Sequence, residues 1–211
     1  MKYHIIRDNL SLVFSLLAGV ILLFLIAPVA GLFLSVKAPA LFETIKDPAV
    51  NESIFITLLI SSLFTLAAAI FALPLAYILA RRSFPGKGLI EGIIDIPVVI
   101  PHSAAGIAIL GLISRDSILG GIASHAGLNL VGSPFAIGLA MAFVSIPFLI
   151  NSARDGFAAV PLRLEQAART LGASGFKVFT SISLPLAKRS VVSGLVLMFA
   201  RGMSEFGAVV I

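Results

Sequence analysis

Long apolar runs separated by short polar segments dominate the sequence. Five runs approach or exceed the 20 or so apolar residues that a membrane-crossing helix needs. They cover residues 9–36, 53–80, 89–114, 134–153 and 190–211. None shows the period-two alternation typical of the strands of a membrane barrel. The pattern predicts an all-α polytopic membrane protein with one transmembrane domain over residues 1–211.

The two ends of this pattern need separate interpretation. The first run follows Lys2 and Arg7, as in a signal peptide, but it continues past Ala30 and is too long for a cleaved segment, which favours a retained helix. The fifth run reaches Ile211 without a closing charge or turn, which indicates that a sixth helix is missing.

Composition excludes the main alternative classes. Hydrophobic residues make up 59% of the 211 residues and charged residues only 12%, about half the 25% or so that soluble domains carry. Cysteine is absent, which excludes a disulfide-built fold and thiolate metal sites.

Charge alternates between the polar segments and predicts the topology. Residues 81–88 contain three basic residues and no acid, and residues 154–189 contain six bases against two acids. Segments 37–52 and 115–133 carry no such excess. By the positive-inside rule, the N-terminus and the two basic segments lie in the cytoplasm. This is the topology of a multi-pass protein of the cell membrane.

No catalytic, nucleotide or metal motif is present. Gly86-Lys87-Gly88 lacks the first glycine and the hydroxyl residue of a phosphate-binding loop, so it is interpreted as a turn. The three histidines, His4, His102 and His125, are far apart in the sequence. The sequence therefore predicts no enzyme, no bound cofactor and no metal site on this chain.

The segment 154–189 has structure of its own. Pro161 suits the start of a helix, helix-forming residues follow, and Gly172 suits its end. Ala167, Ala168 and Leu171 would form a small, smooth patch suited to close approach by a partner. A second amphipathic stretch, 176–184, is expected to end at Pro185 before the fifth span.

The same segment resembles the permease signature of ABC importers, EAA-x3-G-x9-I-x-L-P. Gln166-Ala167-Ala168 is followed at the required spacings by Gly172, Ile182 and Leu184-Pro185. Gln166 stands where the family usually has Glu, and Glu165 precedes it directly. In such permeases this loop forms a coupling helix, here 161–172, that seats in a groove of a cytoplasmic ATPase. The resemblance implies that Glu165, Gln166, Ala167, Ala168 and Gly172 couple the two subunits.

Other stretches resemble the molybdate and tungstate permeases, which are related to sulfate permeases. They are residues 77–87, 95–102 and 204–208. The resemblance implies a homodimer with two ATPase subunits, which hold ATP and Mg²⁺, and an extracytoplasmic binding protein. The expected function is import of molybdate or tungstate. Alternatives are a sulfate or thiosulfate permease, an ion-driven secondary transporter with Asp95 or Glu205 as coupling acids, and a membrane scaffold without transport.

Two groups of residues are candidates for the translocation pathway or its gate. In the third span, Pro97 and Pro101 interrupt helical hydrogen bonding, and His102 and Ser103 could donate hydrogen bonds to an oxyanion. In the fifth span, Arg201 and Glu205 lie four residues apart with Ser204 beside them. The structural alternatives are a kinked packing helix and a buried ion pair, since ionised groups avoid lipid.

Overall fold

The computed structural model describes residues 9–36, 38–125 and 127–209, and most of them are helical. The predicted all-α class is confirmed. The helices are α1 (Asn9–Ser35), α2 (Ala38–Lys46), α3 (Pro48–Arg81), α4 (Lys87–Val99), α5 (His102–Ile113), α6 (Ile118–His125), α7 (Pro134–Ala159), α8 (Leu162–Thr170), α9 (Gly175–Val178), a π-helical turn (Phe179–Ser183) and α10 (Leu184–Val209).

Four helical stretches in the described ranges are long and apolar enough to cross a membrane: residues 10–35, 48–81, 134–159 and 175–204. A fifth candidate exists only if α4 and α5 count together, and these two helices meet at 112°. The third predicted span, 89–114, is therefore not a straight helix. The break falls at Ile100, which is extended because the following Pro101 disfavours helical backbone before it. Pro97 lies inside α4 and is buried.

Several helices are longer than the apolar runs that predicted them. Helix α3 begins at Pro48, where the Asp47 carboxylate accepts a hydrogen bond of 2.9 Å from the Ala49 amide. Its 34 residues correspond to about 51 Å at 1.5 Å per residue. Helix α7 begins at Pro134, as predicted, with the Ser133 hydroxyl accepting from the Ala136 amide, but it continues six residues beyond 153 to Ala159.

The predicted start of the last span at residue 190 is wrong, and so is the expectation that Pro185 ends a separate helix. Helical structure runs without a break from Gly175 into α10. A proline inside an α-helix crowds the carbonyl four residues earlier, here that of Ser181. Ser181 lies in the π-helical turn 179–183, whose wider backbone accommodates the proline ring.

The chain divides into two compact units, residues 1–53 and 54–211. In the first, α1 is apolar around its whole circumference, as is typical of a membrane-crossing helix. In the second, a buried core lies between α3, α7 and α10. Its members are Ala72, Ala76, Leu79, Leu149, Ile150, Ala153, Phe157, Val160, Ala187, Val191 and Met198.

Small residues allow α7 and α10 to approach closely. A Cβ atom on Gly156 would collide with the Ser190 side chain, and one on Gly194 would lie 3.0 Å from the Cβ of Ser152. The Ser152 hydroxyl also donates a hydrogen bond of 2.7 Å to the Ser190 carbonyl. Small residues and interhelical hydrogen bonds are the usual means of helix association in membranes, where lipid supplies no hydrophobic drive between helices.

We expect Gly156→Ala to lower the stability of the purified protein by about 1–3 kcal/mol, because the added methyl group forces the two helices apart. Thermal unfolding in detergent would measure the loss. Gly19→Ala is the matched control, since a Cβ at Gly19 in α1 meets nothing within 4 Å. Equal melting temperatures for both variants would contradict the close approach.

Candidate functional site

Helix α8 has well-defined ends. Pro161 precedes its first residue, and Gly172 follows it with a φ of +86°, a left-handed conformation that glycine adopts readily. The Ala173 amide donates to the Ala168 carbonyl at 3.0 Å, and the Gly172 amide donates to the Arg169 carbonyl at 2.9 Å. These two bonds form a Schellman cap. The helix thus lies within the predicted 161–172 boundaries.

Glu165 is the buried polar centre beneath this helix and is only 2% exposed. Its Oε1 accepts hydrogen bonds from Arg81 Nε at 2.8 Å and Ser183 Oγ at 2.7 Å. Arg81 Nη2 lies 2.6 Å from the same oxygen. Its Oε2 accepts from Tyr77 Oη at 2.8 Å. Both carboxylate oxygens are therefore satisfied, and one of the partners is a cation.

These contacts determine the protonation state of Glu165. Burial by itself raises the pKa of this carboxyl group. Hydrogen bonds from Ser183, Tyr77 and Arg81, together with the positive charge of Arg81, act in the opposite direction and outweigh burial, so the pKa is lowered. The carboxylate is therefore ionised at neutral pH, and the ion pair with Arg81 persists.

Aromatic packing fixes the geometry around the carboxylate. The Tyr77 ring makes edge-to-face contacts with Phe157 at 5.5 Å and with Phe179 at 5.1 Å between centroids. The Arg81 guanidinium also donates to the Val160 carbonyl at 3.0 Å. The site therefore joins the end of α3, the end of α7, α8 and the π-helical turn.

Sequence reasoning identified Glu165 but none of its partners. Arg81 and Tyr77 are 84 and 88 residues away in the chain, and no local spacing relates them to α8. Ser183 lies in a stretch that was expected to be a separate amphipathic helix. The exposed Gln166, where the family usually has Glu, takes no part in this ion pair.

The opposite side of α8 is open. Gln166 and Ala167 are exposed, and Ala168 is half-buried. Leu171, just past the helix, is 89% exposed, and Phe176 on α9 is 79% exposed. Exposed apolar side chains beside small residues are typical of a surface that binds another protein. The predicted patch is thus partly outward, with Ala168 turned toward the protein.

The candidate pathway residues are distributed over α4, α5 and α10. Pro101 and Ser103 are exposed beside the break between α4 and α5. On α10, Arg201 Nη1 donates to Ser204 Oγ at 2.8 Å. The side chains of His102 and Glu205 lie outside the described residues, so the predicted Arg201–Glu205 pair does too.

Two polar contacts that the sequence did not predict join α4 to α7. Arg154 forms an ion pair with Glu91 at 3.2 Å, and one turn further along α4 the Asn151 amide donates to Asp95 at 2.7 Å. Since α4 and α7 lie side by side here, these contacts hold the short helix α4 in place. In the described ranges, no three His, Cys, Asp or Glu side chains are placed to hold a metal ion.

Comparison with known proteins decides the family. A family model described as the binding-protein-dependent transport system inner membrane component matches residues 72–211. The chain belongs to this family. The match includes the whole Glu165 site and the signature segment of α8, so the resemblance drawn from the sequence is confirmed.

The permease has relatives with named transport roles. It is 48% identical over 158 residues to the molybdate/tungstate transport system permease protein WtpB of Pyrococcus abyssi, covering 74% of this chain and 57% of the relative. It is 40% identical to the molybdenum transport system permease protein ModB of Haemophilus influenzae, covering 71% and 65%. A probable sulfate transport system permease protein cysT of Chlorokybus atmophyticus is 32% identical, covering 74% and 54%. The alignments therefore span little more than half of most of these relatives.

We expect Glu165→Gln to loosen α8, because it leaves the Arg81 guanidinium largely buried without a counter-ion. Amide hydrogen exchange in residues 162–171 should be about tenfold faster or more, as hydrogen bonds to charged groups contribute about 1.5–3 kcal/mol. Asp155→Asn is the control, since its side chain is 72% exposed. Unchanged exchange in Glu165→Gln would refute the role of the ion pair.

The same ion pair predicts a pH dependence. A lowered pKa means that the carboxylate stabilises the fold fully above its ordinary pKa of 4.5. That stabilisation is lost as the pH falls from 4.5 through the lowered pKa. Exchange in α8 of the wild type should rise in this acidic range after correction for intrinsic exchange rates, and Glu165→Gln should lack this step. A step of equal size in the variant would assign it to another group.

Proposed function

We propose that this chain is the membrane subunit of an ATP-driven, binding-protein-dependent importer of a tetrahedral oxyanion, molybdate or tungstate. The observation that carries the proposal is the exposed α8 surface fixed to a membrane helix by the Arg81–Glu165 pair. A docking helix held this way can pass a displacement from an ATPase to α3. The family match and the names of the relatives described above support the transport role.

Substrate class rests on the relatives. The two relatives described above at 48% and 40% identity are named for molybdate, tungstate or molybdenum transport, whereas the sulfate permease is 32% identical. Import of sulfate or thiosulfate is therefore the second candidate. Because these anions are tetrahedral dianions of similar hydrogen-bonding character, we infer that much of the discrimination between them lies in the binding protein.

The proposed assembly contains two copies of this chain, two ATPase subunits and one extracytoplasmic binding protein. ATP and Mg²⁺ would bind the ATPase subunits, so this chain itself would be neither an enzyme nor a cofactor-binding protein. The basic segments around residues 81–88 and 154–189 support a cytoplasmic N-terminus and a cytoplasmic α8. The outward surface of α8 would then face the ATPase.

The contacts suggest how displacement of α8 would spread. Arg81 and Tyr77 connect Glu165 to α3, and Ser183 connects it to the π-helical turn at the start of α10. Closure of the two ATPase subunits would draw both α8 helices together and move α3 and α10 with them. The pathway would open outward and return inward after hydrolysis. Pro97 and Pro101 would allow α4 and α5 to change their mutual angle during this cycle.

A secondary transporter remains the alternative from another class. It would need buried acids as ion-coupling sites. Asp95 is exposed in the described chain and bonded to Asn151, and the side chain of Glu205, the other candidate acid, lies outside the described residues. Dependence on an ATPase separates the two functions.

The test is ATP hydrolysis by the purified complex in liposomes, with and without a molybdate-loaded binding protein. We expect stimulation to be lost in the double variant Ala167→Glu plus Gly172→Pro. The first change places a charge on the docking surface, and the second removes the positive φ and the amide that cap α8.

Ala158→Glu is the control, because it adds the same charge at an exposed position on α7. It should retain wild-type stimulation. Stimulation that persists in the double variant would reject α8 as the coupling element. Molybdate uptake that is independent of ATP would instead favour the secondary transporter.

A further inference from the structure

A cavity of about 520 Å³ lies beside α8, between that helix and the end of α3. It opens to solvent next to the outward surface of α8. Its polar lining consists of Tyr77, Arg81, Arg82, Glu165, Gln166 and Arg169. The cavity therefore lies next to the Glu165 site, and the side chains of that site form part of its wall but leave its interior open.

The cavity carries an excess of positive charge. Three of its residues are arginines and one is a carboxylate, and that carboxylate is committed to Arg81. The side chains of Arg82 and Arg169 are exposed, and within the described residues neither guanidinium group takes part in a hydrogen bond or an ion pair. Two guanidinium groups thus line one concave surface without a counter-ion.

We propose that this cavity receives a carboxylate side chain of the ATPase subunit, bound by Arg82 and Arg169. The inference rests on the proposed function and adds the chemistry of the contact. Gln166, at the position where the family signature has Glu, also lines the cavity and supplies no negative charge. An acid that binds the two arginines would therefore come from the partner, and a guanidinium binds a carboxylate in a bidentate manner.

The position of the cavity against α8 favours a protein side chain over a lipid headgroup as its occupant. One wall is a single face of α8, formed by Leu162, Gln166 and Arg169 at positions i, i+4 and i+7. Any ATPase that seats on α8 must approach this wall. Its acidic side chain would complement the two arginines, and such complementarity determines partner choice and register.

The experiment measures binding of the purified ATPase to the permease in nanodiscs made only of phosphatidylcholine and, in a second series, in nanodiscs that also contain phosphatidylglycerol. The test variant is Arg82→Glu plus Arg169→Glu. Affinity should fall roughly 10- to 100-fold, since loss of a hydrogen-bonded charge contact has effects of this order. The wild-type affinity should also fall more steeply with salt than that of the variant.

Lys188→Glu plus Arg189→Glu is the matched control. Both residues are exposed on α10, neither lines the cavity, and the change in net charge is the same. The control should bind the ATPase as the wild type does. If the test variant does not elute as a folded permease, Arg82→Gln plus Arg169→Gln replaces it, with a smaller expected loss of affinity.

A rescue experiment identifies the source of the carboxylate. Single Asp→Arg and Glu→Arg changes on the ATPase surface are screened against the test variant. Recovery of affinity by one of them, with a loss in the wild-type permease, would establish the contact. Absence of any rescue would overturn the proposal.

The remaining outcomes are distinguishable. If the test variant and the wild type bind the ATPase equally, the cavity contact is absent while the importer assembly stands. If the ATPase does not bind even the wild type, the proposed function itself fails. If the loss of affinity appears only in nanodiscs containing phosphatidylglycerol, the cavity binds an anionic lipid headgroup and the proposal is overturned.

Discussion

The ion pair between Arg81 and Glu165 is the constraint on which the rest of the site depends. A buried carboxylate costs several kcal/mol in lost hydration, and only good geometry with full hydrogen bonding offsets this. Glu165 meets that condition through one cation and two hydroxyl groups. Because a half-satisfied arrangement would leave a charge without a partner, the contact favours one fixed position of α8.

Helix α8 needs this external support. It has nine residues, and isolated helices shorter than about 12–15 residues are marginal in water. Its Schellman cap satisfies the end of the helix, but the stiffness of its attachment comes from α3, Val160 and the π-helical turn. The outward surface, with the exposed Gln166 and Ala167, is therefore held in a fixed position without contacts of its own to the rest of the protein. A membrane helix of 34 residues then extends from this junction into the bilayer region.

Features that depend on neighbouring residues could be predicted from the sequence, whereas contacts between distant residues could not. Signals contained in a few residues were readable: the apolar run that starts at Pro134 coincides with the start of α7, and Pro161 and Gly172 bound α8. The apolar runs located the membrane helices but not their polar ends. Helix α7, for example, continues past the end of its apolar run through Arg154, which is ion-paired with Glu91 on α4. The Arg81–Glu165 ion pair could not be predicted from the sequence, because its two residues are 84 positions apart.

Proline was the least reliable local signal. Pro97, Pro101 and Pro185 are similar in sequence but have three different outcomes: inclusion in α4, a break before α5, and continuation through a π-helical turn. Which outcome occurs depends on whether the preceding turn can widen or become extended. These differences arise from tertiary surroundings that the local sequence does not contain; in the π-helical turn, for example, Ser183 donates a hydrogen bond to the distant Glu165.

The central claim is that α8 and α3 move as one body when the ATPase closes. The chain has no cysteine, so spin labels can be placed at Arg163→Cys on α8, where the label replaces a long exposed side chain, and at Phe71→Cys on α3. Pulsed EPR on the complex would measure this distance with and without ATP. The account predicts an unchanged distance within one copy while the distance between the two labels at position 163 shortens. A change within one copy as large as that between copies would contradict it.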